Sequence, residues 1–275
     1  PRFRKRPDAI ALDIDGTLLD GKSRLSQRNA AAIRDCFAGG IPIVIATSRP
    51  VRAARRLLGM EIMNTCSLVM QNGAIGTGKP PFSGSIKEKI PPAVVKEMLN
   101  DALAMEPGLR ITIELDGEEF GTNHPRDPVS LWEINSATPD MQLTLEEALQ
   151  AEPTKIALGG LGRDIAHIGE MIIKRYSNYL SVVGEAGRTF FNITSKAATK
   201  SNTLLRLAQS RNISLGNVVA IGDDLPDYDM LSACGISIAM GNAVPEIRAI
   251  CKYCTAGNNE DGVAVVLEEI LNSKY

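Results

Sequence analysis

The chain has 275 residues, 44% of them hydrophobic and 23% charged, and its 30 basic and 32 acidic side chains leave a formal net charge of −2. At about 150 residues per domain this is one large domain or two ordinary ones. The hydrophobic content excludes a disordered chain, and the charge balance argues against a protein that holds nucleic acid through global positive charge.

Residues 9–15 (AIALDID) read as a short apolar strand that ends in Gly16-Thr17. Residues 26–39 follow with helical periodicity, carrying Ala30, Ile33 and Phe37 on one face and Gly39-Gly40 as the stop. Residues 41–47 (IPIVIAT) are a second apolar strand, Pro50 to Leu58 a helix with several arginines on its polar side, and residues 67–73 a third strand with a turn. Strands that are apolar throughout and alternate with helices predict a parallel sheet covered on both faces. The pattern returns at the far end. A helix is expected over 200–211, a strand over 217–223 and a helix over 227–233. A strand at 235–240, a short helix at 245–249 and a last helix over 262–271 complete it.

The middle of the chain reads differently. Residues 76–84 are a Gly/Pro-rich joint. A helix over 92–105 leads into RITIEL and EEFGTN, alternating strands around Asp116-Gly117, which is a hairpin signal. A short helix over 146–150, a strand (KIALGG), a helix over 163–176 and a second hairpin over Ala186-Gly187 follow. The fold expected is α/β: a Rossmann-like, doubly wound parallel-sheet core from residues 1–83 and 193–275, with an α+β module inserted over 84–192.

No apolar run approaches the ~20 residues of a membrane span, and residues 2–6 (RFRKR) are followed by no apolar leader segment, so neither membrane nor secretory targeting is expected. Five cysteines (Cys36, Cys66, Cys234, Cys251, Cys254) are an odd, sparse set that suits reduced thiols and a cytoplasmic setting. Cys251 and Cys254 form a CxxC with no second pair or histidine pair nearby, so plain packing outweighs a zinc site.

The sharpest feature is Asp13-Ile14-Asp15-Gly16-Thr17. Two aspartates two apart at a strand end point the same way. Ligands of open parallel sheets bind beyond the carboxyl ends of the strands. Like charges this close call for a cation or a proton, and oxygen donors select a hard cation, commonly Mg²⁺ beside phosphate. Thr47 and Ser48 end the second strand. Asp223 and Asp224 end a later one, with Asp227 and Asp229 beyond, and Lys200 opens a helix. For Asp229 the plainer reading, a helix cap, is preferred.

These residues resemble the haloacid dehalogenase superfamily of phosphohydrolases, and within it the Cof-type sugar-phosphate phosphatases. Four motifs occur in order: DIDGTLLD (13–20), IVIATSR (43–49), SKAATK (195–200) and GDDLPDYDML (222–231). QNGA (71–74), AMGNA (239–243) and NNEDGVA (258–264) are accessory matches. The insertion falls between the second and third motifs, where this group carries a cap.

The resemblance implies that Asp13 is the nucleophile that forms an aspartyl-phosphate, and that Asp15 protonates the leaving alkoxide and then activates water. It implies Mg²⁺ held by Asp13, the Asp15 carbonyl and Asp223, with Asp227 or Asp224 assisting. Thr47 and Lys200 would hold phosphoryl oxygens, with Gly16, Ser48, Arg49 and Asn242 around the phosphate. Two positions depart from the pattern. Ser48 stands where glycine is usual, and Pro226 where asparagine is usual, which removes an amide next to Asp227. In the cap, His124, Arg126, Glu185 and Arg188 are the polar candidates for selecting the leaving group, Arg188 the best of them. Trp132 reads as packing.

The activity implied is hydrolysis of a small phosphorylated metabolite, a sugar phosphate or a phosphorylated acid, by a monomer or homodimer that engages neither nucleic acid nor membrane. A phosphomutase and a weakly catalytic phosphometabolite-binding protein remain the alternatives.

Overall fold

The structure, a computed structural model, describes residues 3, 5–124, 135–184 and 188–273. The chain divides into two compact units: Pro1–Ser48, Ala54–Ile86 and Thr199–Tyr275 form one, Arg49–Ala53 and Lys87–Ala198 the other. The sequence places the insertion at 84–192. The second unit runs from Lys87 to Ala198 and also takes in the short piece Arg49–Ala53, which no patterning announces.

In the first unit, β1 (Ala9–Leu12), β2 (Ile43–Ala46) and β3 (Ser67–Met70) are joined in a sheet by two short strands, β4 (Ile75–Thr77) and β5 (Ser85–Lys87). The same sheet contains β12 (Val218–Gly222), β13 (Ile236–Ala239) and β14 (Tyr253–Cys254), in the order β14-β13-β12-β1-β2-β3-β4-β5. β1 runs parallel to both β2 and β12, and β3, β13 and β14 continue parallel outward. Every residue of β1, β2, β3 and β12 is buried, which is why these segments are apolar without alternation save for Ser67 at the start of β3. The chain leaves β1 toward β2 on one side and later returns to β12 on the other. The carboxyl end of β1 is therefore a topological switch point, where ligand crevices form.

Helix α1 (Gln27–Ala38) is capped by Ser26, whose hydroxyl accepts from Asn29 N at 3.0 Å, and packs on the last helix, Gly262–Asn272. Two expectations need correction. The helix expected to end at Leu58 runs over Val51–Thr65, with a kink at Gly59 that marks the expected stop. The Gly/Pro-rich joint begins inside β4, antiparallel to β3, and runs directly into β5; backbone pairing overrides local composition at both ends.

The second unit is built on a six-stranded sheet. Its strands are β6 (Arg110–Glu114), β7 (Phe120–Thr122), β8 (Gln142–Thr144), β9 (Lys155–Gly159), β10 (Leu180–Gly184) and β11 (Phe190–Ser195), ordered β10-β11-β9-β6-β7-β8. Alternation decides its two faces. Ile111, Ile113, Ile156, Leu158, Phe191 and Ile193 share a core with Val95, Met98, Leu99 and Ala102 of helix Pro92–Met105 and with Ile168, Met171 and Ile172 of helix Ala166–Tyr176. The intervening residues Thr112, Glu114, Lys155 and Thr194 carry polar groups on the opposite face. The hairpin expected at Asp116-Gly117 is present, with Asp116 accepting from Glu118 N at 3.1 Å. The tip of the second hairpin, with Glu185, Ala186 and Gly187, lies outside the described residues, as do Arg126 and Trp132.

Truncating the centre of this second core tests the layering. Ile156→Ala, at a fully buried site, is expected to destabilise the protein by about 2–5 kcal/mol, measured by urea unfolding.

Candidate active site

Asp13 follows β1 directly, and its N–H still pairs with Ile221 O of β12 at 3.1 Å. It is buried together with Lys200 and Asp227. Lys200 Nζ donates to Asp13 Oδ1 and to Asp227 Oδ1, both at 2.6 Å, so one ammonium bridges two carboxylates drawn from distant parts of the chain. The other oxygen of Asp227 accepts from the N–H groups of Asp223 (3.0 Å) and Asp224 (3.3 Å). Asp227 is thus saturated by protein donors and braces the turn after β12.

Asp223 follows β12 directly and is half-buried. Its Oδ1 accepts from Thr17 Oγ1 at 2.8 Å, and its Oδ2 lies 3.5 Å from Asn242 Nδ2. Asp15 and Gly16 lie in the turn Ile14–Leu18, closed by Leu19 N donating to Ile14 O at 3.0 Å. Gly16 has φ +76, and a Cβ there would stand 2.1 Å from Asp223 Oδ2, so only glycine lets this turn approach the acidic cluster. Thr47 is buried beyond β2, held by Thr47 N to Val69 O at 2.8 Å and by Asn72 N to Thr47 O at 3.0 Å. Because β1 pairs in parallel register with both β2 and β12, Asp13, Thr47 and Asp223 emerge at one edge of the sheet.

The electrostatics follow from crowding. Burial raises the Asp13 carboxyl well above the ordinary carboxylate range, and the Asp227 charge adds to this while Lys200 opposes it. Burial also pushes Asp223 up, to about 7; Thr17 pulls the other way, and the charges of Asp227 and Asp224 add. Burial works against the charge on Lys200, but Asp13 and Asp227 outweigh it and hold the ammonium above the usual lysine value. Carboxylate oxygens of Asp13, Asp223 and Asp227 all lie within 4.8 Å of one another. An oxygen-only set with surplus negative charge fits a hard divalent cation.

The remaining expected residues have the following partners and surroundings. Asp224 is exposed, and its Oδ1 accepts from Leu225 N at 2.8 Å, capping the turn Leu225–Asp227; it stands outside the candidate metal group. Asn242 spends its side chain on the protein, donating to Gly16 O at 2.8 Å and accepting from Asn258 N at 2.9 Å. Ser48 is half-buried beside Thr47, whereas Arg49 belongs to the second unit. Arg188, also in that unit, is exposed at φ +51, and its carbonyl accepts from Ile165 N at 2.9 Å.

Supporting residues were hidden in the motifs. Thr17 orients Asp223, Asn258 Nδ2 donates to Leu19 O at 2.8 Å, and Asn259 Oδ1 accepts from Gly21 N at 2.8 Å. Asp229 is a cap, as expected, but for another helix: its Oδ2 accepts from Ser201 N at 2.8 Å, beside Lys200.

Known proteins resemble this chain along almost its whole length. A Haemophilus influenzae protein is 32% identical over 270 residues, covering 95% of this chain and 97% of its own. Phosphatase YwpJ of Bacillus subtilis is 28% identical over 293 residues, covering 95% and 99%. A haloacid dehalogenase-like hydrolase from Bacteroides thetaiotaomicron has the same fold, with a TM-score of 0.81 at 24% identity over 96% of this chain and 99% of that one. The family profile of the haloacid dehalogenase-like hydrolases matches residues 10–267. The chain belongs to that family, the one its four motifs resemble.

Proposed function

We propose that the protein is a Mg²⁺-dependent phosphomonoesterase that hydrolyses a small phosphorylated metabolite, a sugar phosphate or a phosphorylated acid, through an aspartyl-phosphate on Asp13. The observation that carries this reading is the buried Lys200 ammonium, 2.6 Å from both Asp13 and Asp227, at a sheet edge that also presents Asp223 and Thr47. The relative named Phosphatase YwpJ supports it.

Asp13 Oδ1 is engaged by Lys200, so Oδ2 is the oxygen assigned to attack phosphorus in line. The P–O bond to the leaving alkoxide breaks as the bond to Asp13 forms. Asp15, half-buried on the adjoining turn, gives its proton to the alkoxide and then takes one from the water that cleaves the aspartyl-phosphate, which releases phosphate and restores Asp13. Thr47 and Lys200 hold the phosphoryl oxygens, with the backbone N–H groups of Gly16 and Ser48 assigned as further donors. Mg²⁺ would be held by the Asp13 carboxylate, the Asp15 carbonyl and Asp223, and when bound it offsets phosphoryl charge. Asp227 contributes by fixing Lys200 and the Asp223 backbone. Among the described residues no helix is long and apolar enough to cross a membrane, and all five cysteines are free, which fits a cytoplasmic setting.

Two measurements test the proposal. Purified protein with Mg²⁺ is expected to release phosphate from members of a sugar-phosphate and phospho-acid panel and to stop on adding EDTA, and Asp13→Asn is expected to abolish release with the fold intact by circular dichroism. Full activity in that variant would remove Asp13 as nucleophile.

The second concerns pH. Asp223 in the folded protein titrates at about 7, above its unfolded value of 3.8. The folded state therefore binds more protons than the unfolded state between those values, and stability falls as pH rises through about 7. Metal-free protein is expected to melt at lower temperature at pH 8 than at pH 5.5, and millimolar Mg²⁺ should narrow that difference. A melting temperature that rises toward pH 8 without metal would contradict the acidic-cluster reading.

A further inference from the structure

Arg52 sits three residues beyond Arg49 in a stretch of arginines that reads, from sequence, as the solvated side of a helix. It is buried instead, with its side chain 3% exposed and that of Glu114 4%. Its guanidinium meets Glu114 fork to fork, Nη1 donating to Oε2 and Nη2 to Oε1, each at 2.7 Å. Nη1 also donates to Glu118 O at 3.1 Å, and the guanidinium carbon lies 4.9 Å from the centroid of the Phe120 ring. The backbone joins in: Arg52 N donates to Gly117 O at 3.2 Å, and a Cβ on Gly117, whose φ is +92, would come within 2.6 Å of Val51 Cγ2. The β6–β7 hairpin and the segment around Arg52 are therefore fitted to each other at side-chain, ring and backbone level, all within the second unit.

The placement is costly for an arginine. Position 52 falls in the first turn of the helix Val51–Thr65, where the positive end of the helix dipole disfavours a cation, and Nε is buried without a hydrogen-bond partner. A buried ion pair is weak evidence for stability, since apolar replacements of similar size are often no worse; its best-attested use is to fix one arrangement among several. The arrangement fixed here is that of Arg49–Ala53. The chain enters this segment from Ser48, one residue after Thr47, and a planar trans peptide link leaves little freedom across so short a span.

We propose that Arg52 is a positioning residue: paired with Glu114, it fastens the segment that follows Thr47-Ser48 to the β6–β7 hairpin, so that the hairpin sets the geometry of the groups that hold the phosphate. This rests on the phosphomonoesterase reading for the role of Thr47 and Ser48.

The test removes both charges together, because removing one would strand the other in the interior. The full-length double variant Arg52→Met/Glu114→Met is compared with wild type by thermal melting, by hydrogen–deuterium exchange and by kinetics with Mg²⁺ and p-nitrophenyl phosphate. The expected result is a cooperative melt, faster exchange confined to amides of residues 47–53 with β12 unchanged, and a ~10–100-fold loss in kcat/KM. Arg52→Lys, which keeps the charge but not the fork, should fall between. A folded double variant with wild-type exchange over 47–53, or with faster exchange there and unchanged kcat and KM, overturns the proposal, as does a lowered melting temperature with kinetics per folded molecule unchanged. Wild type that turns over no phosphomonoester defeats the phosphatase reading, and exchange over 47–53 still decides whether the pair positions the loop.

Discussion

Lys200 places one ammonium within 2.6 Å of two carboxylates, and all three groups lie out of water. Removing each ion from water costs several kcal/mol, which their attraction offsets only when the geometry is tight and the remaining donors and acceptors are filled. Asp227 meets that condition by accepting two backbone N–H groups on its free oxygen. Asp13 does not meet it in the same way, and that asymmetry is what makes the two carboxylates chemically different. Two carboxylates and one ammonium leave a surplus negative charge, and Asp223 adds another, its titration pushed up to about 7 by burial first and by the charges of Asp227 and Asp224 after it. On the proposed function, a divalent cation would offset that surplus and favour ionised Asp13. Crowded carboxylates of this kind suit a hard cation, and through it the phosphoryl group of the proposed reaction, an anion that an acidic site could not otherwise receive.

Holding this triad requires that three chain segments arrive with ångström accuracy, and each is fixed at its backbone. Asp13 is placed by continued pairing between β1 and β12. Lys200 opens a helix whose start is capped twice, by Thr199 accepting from Asn202 N at 3.1 Å and by Asp229 accepting from Ser201 N. The same helix is pinned to the turn after β3 by Thr203 Oγ1 donating to Gly73 O at 2.6 Å. The turn after Asp13 is held from outside by Asn242, Asn258 and Asn259, which bond Gly16 O, Leu19 O and Gly21 N. Polar side chains around the cluster are therefore spent largely on orienting the backbone, and the groups left for chemistry are few.

What the sequence disclosed and what it withheld divide along one line. An apolar run that ends in aspartate reveals a buried strand and a polar end, so Asp13, Thr47 and Asp223 were legible as strand termini. Lys200 was legible as the start of a helix, and its partnership with the aspartates only through the motif it belongs to. Partner choice between distant residues leaves no periodic trace. Asp224 and Asp227 look interchangeable as letters, yet one caps Leu225 while the other binds Lys200, and only the N–H groups each can reach tell them apart. Asn242 could have faced a ligand or a carbonyl. Arg52 read as a solvated arginine because its partner, Glu114, lies 62 residues away on a strand whose other face is apolar. The short strands β4 and β5 escaped for a related reason: edge pairing, not composition, makes them strands.

The proline at 226 shows how a departure from the family pattern can be absorbed. It occupies the first turn of the 3-10 segment Leu225–Asp227, where a backbone N–H has no partner within the turn, so its missing donor costs little and its fixed φ suits the geometry. Around it, Asp224 caps Leu225 N, and Asp227 N donates back to Asp224 O at 2.8 Å. The turn is closed without any contribution from residue 226, and Asp227 is delivered to Lys200 and to the Asp223 N–H regardless. An asparagine there would have added a side-chain amide, not a backbone constraint. What the departure removes is a polar group beside the cluster, and what it leaves intact is the ammonium bridge that joins Asp13 to Asp227.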